Sequence, residues 1–155
     1  MNEVAREMQD LYRELVIDHS RNPRHFGRLE QATHTAEGIN PLCGDKLRLY
    51  LHVNDAGEIE SSSFEGSGCA ISVASASLMT DAVTGLQIDA ARSCSASVTS
   101  RLTSGDLDAE LPANLDKLKA LDGVHAYPSR VKCATLAWHA LRSALDNDTT
   151  PATTE

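Results

Sequence analysis

Three cysteines and one aspartate carry the chemistry this chain could do: Cys43 and Asp45 in NPLCGD, Cys69 in FEGSGCAIS, and Cys133 in YPSRVKCATLAWHAL. Each stands where a turn meets a regular element. Three soft thiolates and a carboxylate make a complete tetrahedral shell for zinc. The same thiols could instead hold iron or carry sulfur, because thiolates favour zinc, copper(I) or an iron–sulfur cluster over magnesium or calcium. Residues i and i+2 of an extended segment point to one side, so one ion could take both Cys43 and Asp45. Gly44 between them leaves the backbone free and the approach open. Cys69 follows Gly66-Ser67-Gly68 and opens a helix, and Cys133 is expected in the first turn of the last helix. Helix N-termini favour anions, so both positions suit a thiolate. The four ionised groups sum to −4, and a divalent ion leaves −2, which Arg130 and Lys132 beside Cys133 could offset. The residues alone leave three readings open: a metal site, a redox pair, or scattered structural cysteines.

The other reactive side chains read differently. Cys94 lies beside the apolar face marked by Ala91 and Val98, the position of a small core residue. Phe64 and Trp138 read as core. The histidines at 19, 25, 34, 52, 125 and 139 form no HExxH or similar pair. His139 is expected at the surface, and His25 or His34 could reach the cysteines through the long loop that precedes Cys43.

The elements that must position these residues follow from periodicity. Val4, Met8, Leu11 and Leu15 mark an amphipathic helix over 3–20, stopped by Asn22-Pro23. Residues 23–45 look irregular, with a faint strand signal over 30–38. In 46–53, Leu47, Leu49, Leu51 and Val53 alternate with Lys46, Arg48, Tyr50 and His52, a half-buried strand. Asn54-Asp55-Ala56-Gly57 turns the chain into a second strand over 58–65, which makes a hairpin. Helices are predicted over 69–83, where Ala and Ser alternate, and over 87–103. A short helix over 112–121 is marked by Leu111, Leu115, Leu118 and Leu121, and a last helix runs over 129–146 with Ser129 as its cap. The reading is one domain over 1–146, with a disordered tail over 147–155 rich in Thr, Pro and Asp.

Composition narrows the function classes. A chain of 155 residues can bury a real core, and with 4% aromatics that core rests on Leu, Val, Ile and Ala. A net charge of −8 argues against nonspecific nucleic-acid binding. No apolar stretch approaches the ~20 residues of a membrane helix. MNEVAREMQD is not a signal peptide, so a reducing cytoplasm is the expected compartment, where thiols persist.

NPLCGD, the SGCAIS…ASLMT helix opening and VKCATLAWHAL, in this order, resemble the IscU/NifU N-terminal-like scaffold family over roughly residues 5–146. Within it the chain is similar to the SufU branch. Classical scaffolds carry a histidine before the third cysteine where this chain has Lys132, and the segment between Cys69 and Cys133 is longer, an insertion expected to span much of 101–123. The resemblance implies an α+β fold, a small antiparallel sheet packed against several helices. It implies a zinc-dependent sulfurtransferase with Cys43, Asp45, Cys69 and Cys133 as zinc ligands and Cys43 as the acceptor thiol. It also implies two partners: a SufS-type cysteine desulfurase that supplies persulfide sulfur and the SufBCD assembly complex that receives it. The alternative within the family is a scaffold on which a [2Fe–2S] cluster is assembled on the same ligands. A purely structural zinc adaptor is the reading outside sulfur transfer.

Overall fold

The computed structural model describes residues 3–42, 44–106, 109–111, 115–147 and 151–153, without the side chains of 3–9, 11, 116 and 126. Its elements run α1 (Glu3–Arg21), β1 (His34–Asn40), β2 (Asp45–Val53), β3 (Ile59–Ser67), α2 (Ala70–Val83), α3 (Ile88–Ser104), a 3₁₀ segment (Asp116–Ala126), α4 (Pro128–Leu145) and β4 (Ala152–Thr153). The sheet order is β3-β2-β1-β4. β1–β2 and β2–β3 are antiparallel, whereas β4 lies parallel to β1 at Gly38 and Ile39, so the sheet is mixed at one edge rather than wholly antiparallel.

The leucine alternation in β2 has the expected consequence. Leu47, Leu49 and Leu51 are buried, while Lys46 and Arg48 on the opposite face are exposed. Val53 departs from the row because a bulge between His52 and Val53 shifts the register against β3. Tyr50 points to the polar face yet is buried, its hydroxyl donating to Glu65. α4 packs on β1 and β2, and α2 packs on β3. α1 covers α2 from outside, and α3 lies against α4. The core is aliphatic around two aromatic side chains, Trp138 at 0% and Phe64 at 2% exposure. Burial of this apolar area is the main favourable term in folding.

Three differences from the sequence reading have physical causes. The faint strand is β1, and its weakness comes from Gly38, where a Cβ would meet Leu136 Cδ1 of α4 at 3.0 Å. The leucine-rich stretch is a 3₁₀ segment that starts later and runs through Asp122-Gly123. Its N-cap Leu115 and its residues Leu118, Leu121 and Val124 are buried, spaced by three, the period of a 3₁₀ turn. α4 starts at Pro128, with Tyr127 rather than Ser129 in the cap position. Proline suits that first helical position, where its missing N–H would find no helical partner. The described part of the terminal segment, 151–153, contributes β4 to the sheet edge. The expected side-chain stripe of Val4, Met8 and Leu11 lies outside the described residues.

Candidate metal centre

β1 ends at Asn40 and β2 begins at Asp45, and the two are register partners. Cys43, in the four-residue connection between them, lies outside the described residues. Gly44 beside it has φ +72° with open space around it, so the backbone conformation requires glycine and the volume does not. Directly opposite residues of an antiparallel pair share a face. Asn40 and Asp45 therefore continue the core-facing row of Ala36, Gly38, Leu47 and Leu49, and form its polar end. Both are fully buried.

Cys69 is the N-cap of α2. Its backbone is extended and its Sγ accepts the N–H of Ser72 at 3.5 Å, the role an Asp or Ser oxygen usually plays. Its own N–H donates to Asp45 Oδ1 at 2.9 Å, and its Sγ lies 3.9 Å from Asp45 Oδ2. Gly68 is needed for this approach: a Cβ there would sit 2.5 Å from Asp45 Oδ1.

Cys133 reaches the same place from α4 and is 1% exposed. It is the sixth residue of that helix, past the first turn where it was expected. Cys69 therefore stands at a helix N-terminus and Cys133 does not. What Cys133 meets instead is the side-chain amide of Asn40, whose Nδ2 lies 3.9 Å from its Sγ.

One donor atom from each of Asp45, Cys69 and Cys133 lies within 4.8 Å of the others. A tetrahedral zinc with sulfur at ~2.3 Å and oxygen at ~2.0–2.2 Å needs donors roughly 3.5–3.8 Å apart, so a small inward closure suits this set. Two thiols and a carboxylate are also the right chemistry for zinc, with one position open to a further donor.

The remaining candidates lie elsewhere. Arg130 is exposed, and Lys132 is half-buried in a groove lined also by Pro128, Thr135, His139 and Thr153. His25 faces Asp81 at 3.7 Å, twelve residues along α2 from Cys69, roughly 18 Å at helical rise. His34 sits at the far end of β1 from Asn40 and bonds Thr33. His139, expected at the surface, is half-buried, and burial holds its pKa below the usual histidine value. Cys94 is 1% exposed in the core, and burial pushes its thiol up to about 11, in keeping with a packing role. Asn40 is the residue sequence reasoning passed over. Its only signal was a polar residue closing a strand, and its burial depends on where α4 lands. Its Oδ1 has no hydrogen-bond partner among the described residues. An unsatisfied buried acceptor costs about 1–3 kcal/mol.

A mixed sheet backed by helices, with cysteine and carboxylate donors gathered from a strand start and two helices, defines a domain able to hold a metal ion. The chain belongs to the NifU-like N terminal domain family, whose model matches residues 11–149. It is 39% identical over 138 residues to the zinc-dependent sulfurtransferase SufU of Bacillus subtilis (strain 168), covering 89% of this chain and 91% of that one. It is 40% identical over 141 residues to the iron–sulfur cluster assembly scaffold protein IscU of Streptococcus pyogenes serotype M1, covering 90% and 85%. A crystal structure from Fervidobacterium islandicum AW-1, described as an iron–sulfur cluster assembly scaffold protein for the SUF system, superposes with a TM-score of 0.76 at 33% identity, covering 85% and 94%. The family places this chain in iron–sulfur cluster assembly and sulfur handling. No helix among the described residues is long and apolar enough to cross a membrane.

Proposed function

We propose that this chain is a zinc-dependent sulfurtransferase that accepts persulfide sulfur from a SufS-type cysteine desulfurase and passes it to a SufBCD-type assembly complex in the cytoplasm. The observation that carries this reading is the gathering of Asp45, Cys69 and Cys133 donors within 4.8 Å, at the base of the connection that bears Cys43. The likeness to the Bacillus subtilis zinc-dependent sulfurtransferase supports it. Lys132, in place of a histidine before Cys133, favours it over assembly of a [2Fe–2S] cluster on the same residues.

Asp45, Cys69 and Cys133 would hold zinc, with Cys43 as the fourth donor. Bound there, zinc would keep the thiols ionised and protected from oxidation. Asp45 brings a hard oxygen to a set of soft sulfurs, which makes the set less inert than an all-thiolate one. Of the four, Cys43 would be the one free to react when the desulfurase docks. Its thiolate attacks the terminal sulfur of the desulfurase persulfide. A new S–S bond forms on Cys43 while the old one breaks, its electron pair going to the desulfurase cysteine, which departs as a thiolate. Atoms and charge balance without an external oxidant or reductant. Leu42, next to Cys43 in sequence, is 71% exposed, an apolar side chain that a docking partner could cover.

The test is one preparation assayed for metal content and for persulfide on Cys43 after incubation with desulfurase and cysteine. About one zinc per chain and a labelled Cys43 are expected, with labelling lost in Cys43→Ala. Retained sulfur transfer in Cys43→Ala overturns the role given to Cys43. Visible absorbance after anaerobic purification would point to the cluster scaffold instead, since zinc is colourless.

A further inference from the structure

The side chain of Asn40 is fully buried, its Nδ2 lies 3.9 Å from Cys133 Sγ, and its Oδ1 has no partner among the described residues. A buried carboxamide left half satisfied works against the fold, and an aliphatic residue of the same branched shape would remove that cost. What the amide does provide is a donor held against one sulfur of the cluster. Its place is fixed from two sides: the register puts it directly opposite Asp45 on the same face of the sheet, and α4 brings Cys133 onto that face. Asp45 already directs the Cys69 arm through the Cys69 N–H. Asn40 is placed to do the same for the Cys133 arm.

We infer that Asn40 is a positioning residue of the metal centre: its amide N–H donates to Cys133 Sγ, aims that sulfur at the ion and withdraws charge from the metal–sulfur bond. The inference rests on the reading that Asp45, Cys69 and Cys133 hold a metal. Groups that hydrogen-bond a ligand from outside the coordination sphere typically change metal affinity by about 10–100-fold. Donation to a metal-bound thiolate lowers the energy of the sulfur lone pair, so losing it moves the sulfur-to-metal charge-transfer absorption to longer wavelength. A residue that only fills space would move neither the absorption nor the affinity when replaced by an aliphatic one of the same branched shape.

Two measurements on the full chain test this. In the first, wild type and Asn40→Leu are loaded with Co²⁺ as a zinc surrogate, and zinc affinity is read by competition with a calibrated chelator. Asn40→Leu is expected to bind zinc about 10-fold more weakly, with its thiolate–cobalt band shifted to longer wavelength and its metal-free melting temperature no lower than wild type. In the second, ¹⁵N-labelled wild type is loaded with ¹¹³Cd, and a scalar correlation is sought between the metal and the Asn40 Hδ2 protons. This measurement needs no variant and decides the matter if Asn40→Leu fails to fold. A wild type that gives no thiolate–cobalt band overturns the metal reading itself. A wild type with that band, but with no ¹¹³Cd correlation to Asn40 and with Asn40→Leu unchanged in band and affinity, overturns the positioning role alone.

Discussion

Asp45 and Cys69, twenty-four residues apart, are joined at the backbone: Asp45 Oδ1 accepts the Cys69 N–H at 2.9 Å, and Oδ2 lies 3.9 Å from the Cys69 sulfur. The carboxylate holds the start of α2 against the start of β2, and under the proposed function it would also be a donor to the metal. Two substitutions separate these roles. Asp45→Asn keeps an oxygen for the Cys69 N–H and loses the charge, whereas Asp45→Ala loses both. In chemical denaturation of metal-free protein, Asp45→Ala is expected to lose about 1–3 kcal/mol for the orphaned buried N–H, and Asp45→Asn clearly less. Zinc content after dialysis should fall in both. If Asp45→Asn retains zinc at the wild-type level, Asp45 holds the fold and not the metal.

Gly68 gives a sharper version of the same test. Any side chain there runs into the Asp45 carboxylate, with a Cβ 2.5 Å from Oδ1. Gly68→Ala must push apart the two arms that carry Asp45 and Cys69. A stability loss of about 1–3 kcal/mol is expected from forced overpacking, with weakened metal binding. Gly44→Ala, by contrast, meets open space but has to adopt φ +72°, so its effect should be backbone strain of about 1–2 kcal/mol. Similar chelator-competition curves for Gly68→Ala and wild type would show that the close approach is dispensable.

What could be read from the sequence was whatever rested on local pattern. The alternating leucines of β2, the turn at Asn54–Gly57 and the amphipathic spans of α3 and α4 all had a period to follow. Cys69 opening α2 was legible because glycines precede it and a small-residue helix follows. What escaped depended on contacts between distant segments. Gly38 and Asn40 make β1 look unlike a strand, yet one is small because α4 crosses it and the other is polar because Cys133 lies over it. The short helix expected over 112–121 is a 3₁₀ segment, and the recurrence of Leu115, Leu118 and Leu121 at every third residue is the pattern in the sequence that marks it. β4 has only two residues, and nothing in PAT marks a strand until β1 offers an edge.

Ser75 links the two central helices. Its hydroxyl donates to the Ala134 carbonyl at 2.5 Å and accepts the indole N–H of Trp138 at 3.2 Å, all within the core. Ser75→Ala leaves the indole N–H buried without its acceptor. A loss of about 1–3 kcal/mol in urea denaturation is expected. Trp138 is the single tryptophan of the chain, so its fluorescence reports the site directly. An unchanged denaturation midpoint in Ser75→Ala would mean that the indole finds another acceptor at no cost.

His19 makes the docking of α1 sensitive to acid. It is 3% exposed, its Nδ1 lies 2.7 Å from Ser77 Oγ on α2, and the same oxygen accepts the N–H of Arg24 at 2.8 Å. Burial, reinforced by the Arg24 charge, holds its pKa below the usual 6.5, with Asp81 and Asp18 opposing. The neutral ring is thus the folded form. Below about pH 6.5 the unfolded chain binds a proton that the folded chain resists, so stability falls as pH drops through that value and levels off only below the depressed folded pKa. Stability measured by urea at pH 7.5, 6.5 and 5.5 should decline across the series. His19→Gln, which keeps a polar group toward Ser77 but cannot titrate, should decline less, the remainder including half-buried His139, whose pKa is lowered in the same direction. Equal slopes for wild type and His19→Gln would remove His19 as the origin of the acid sensitivity.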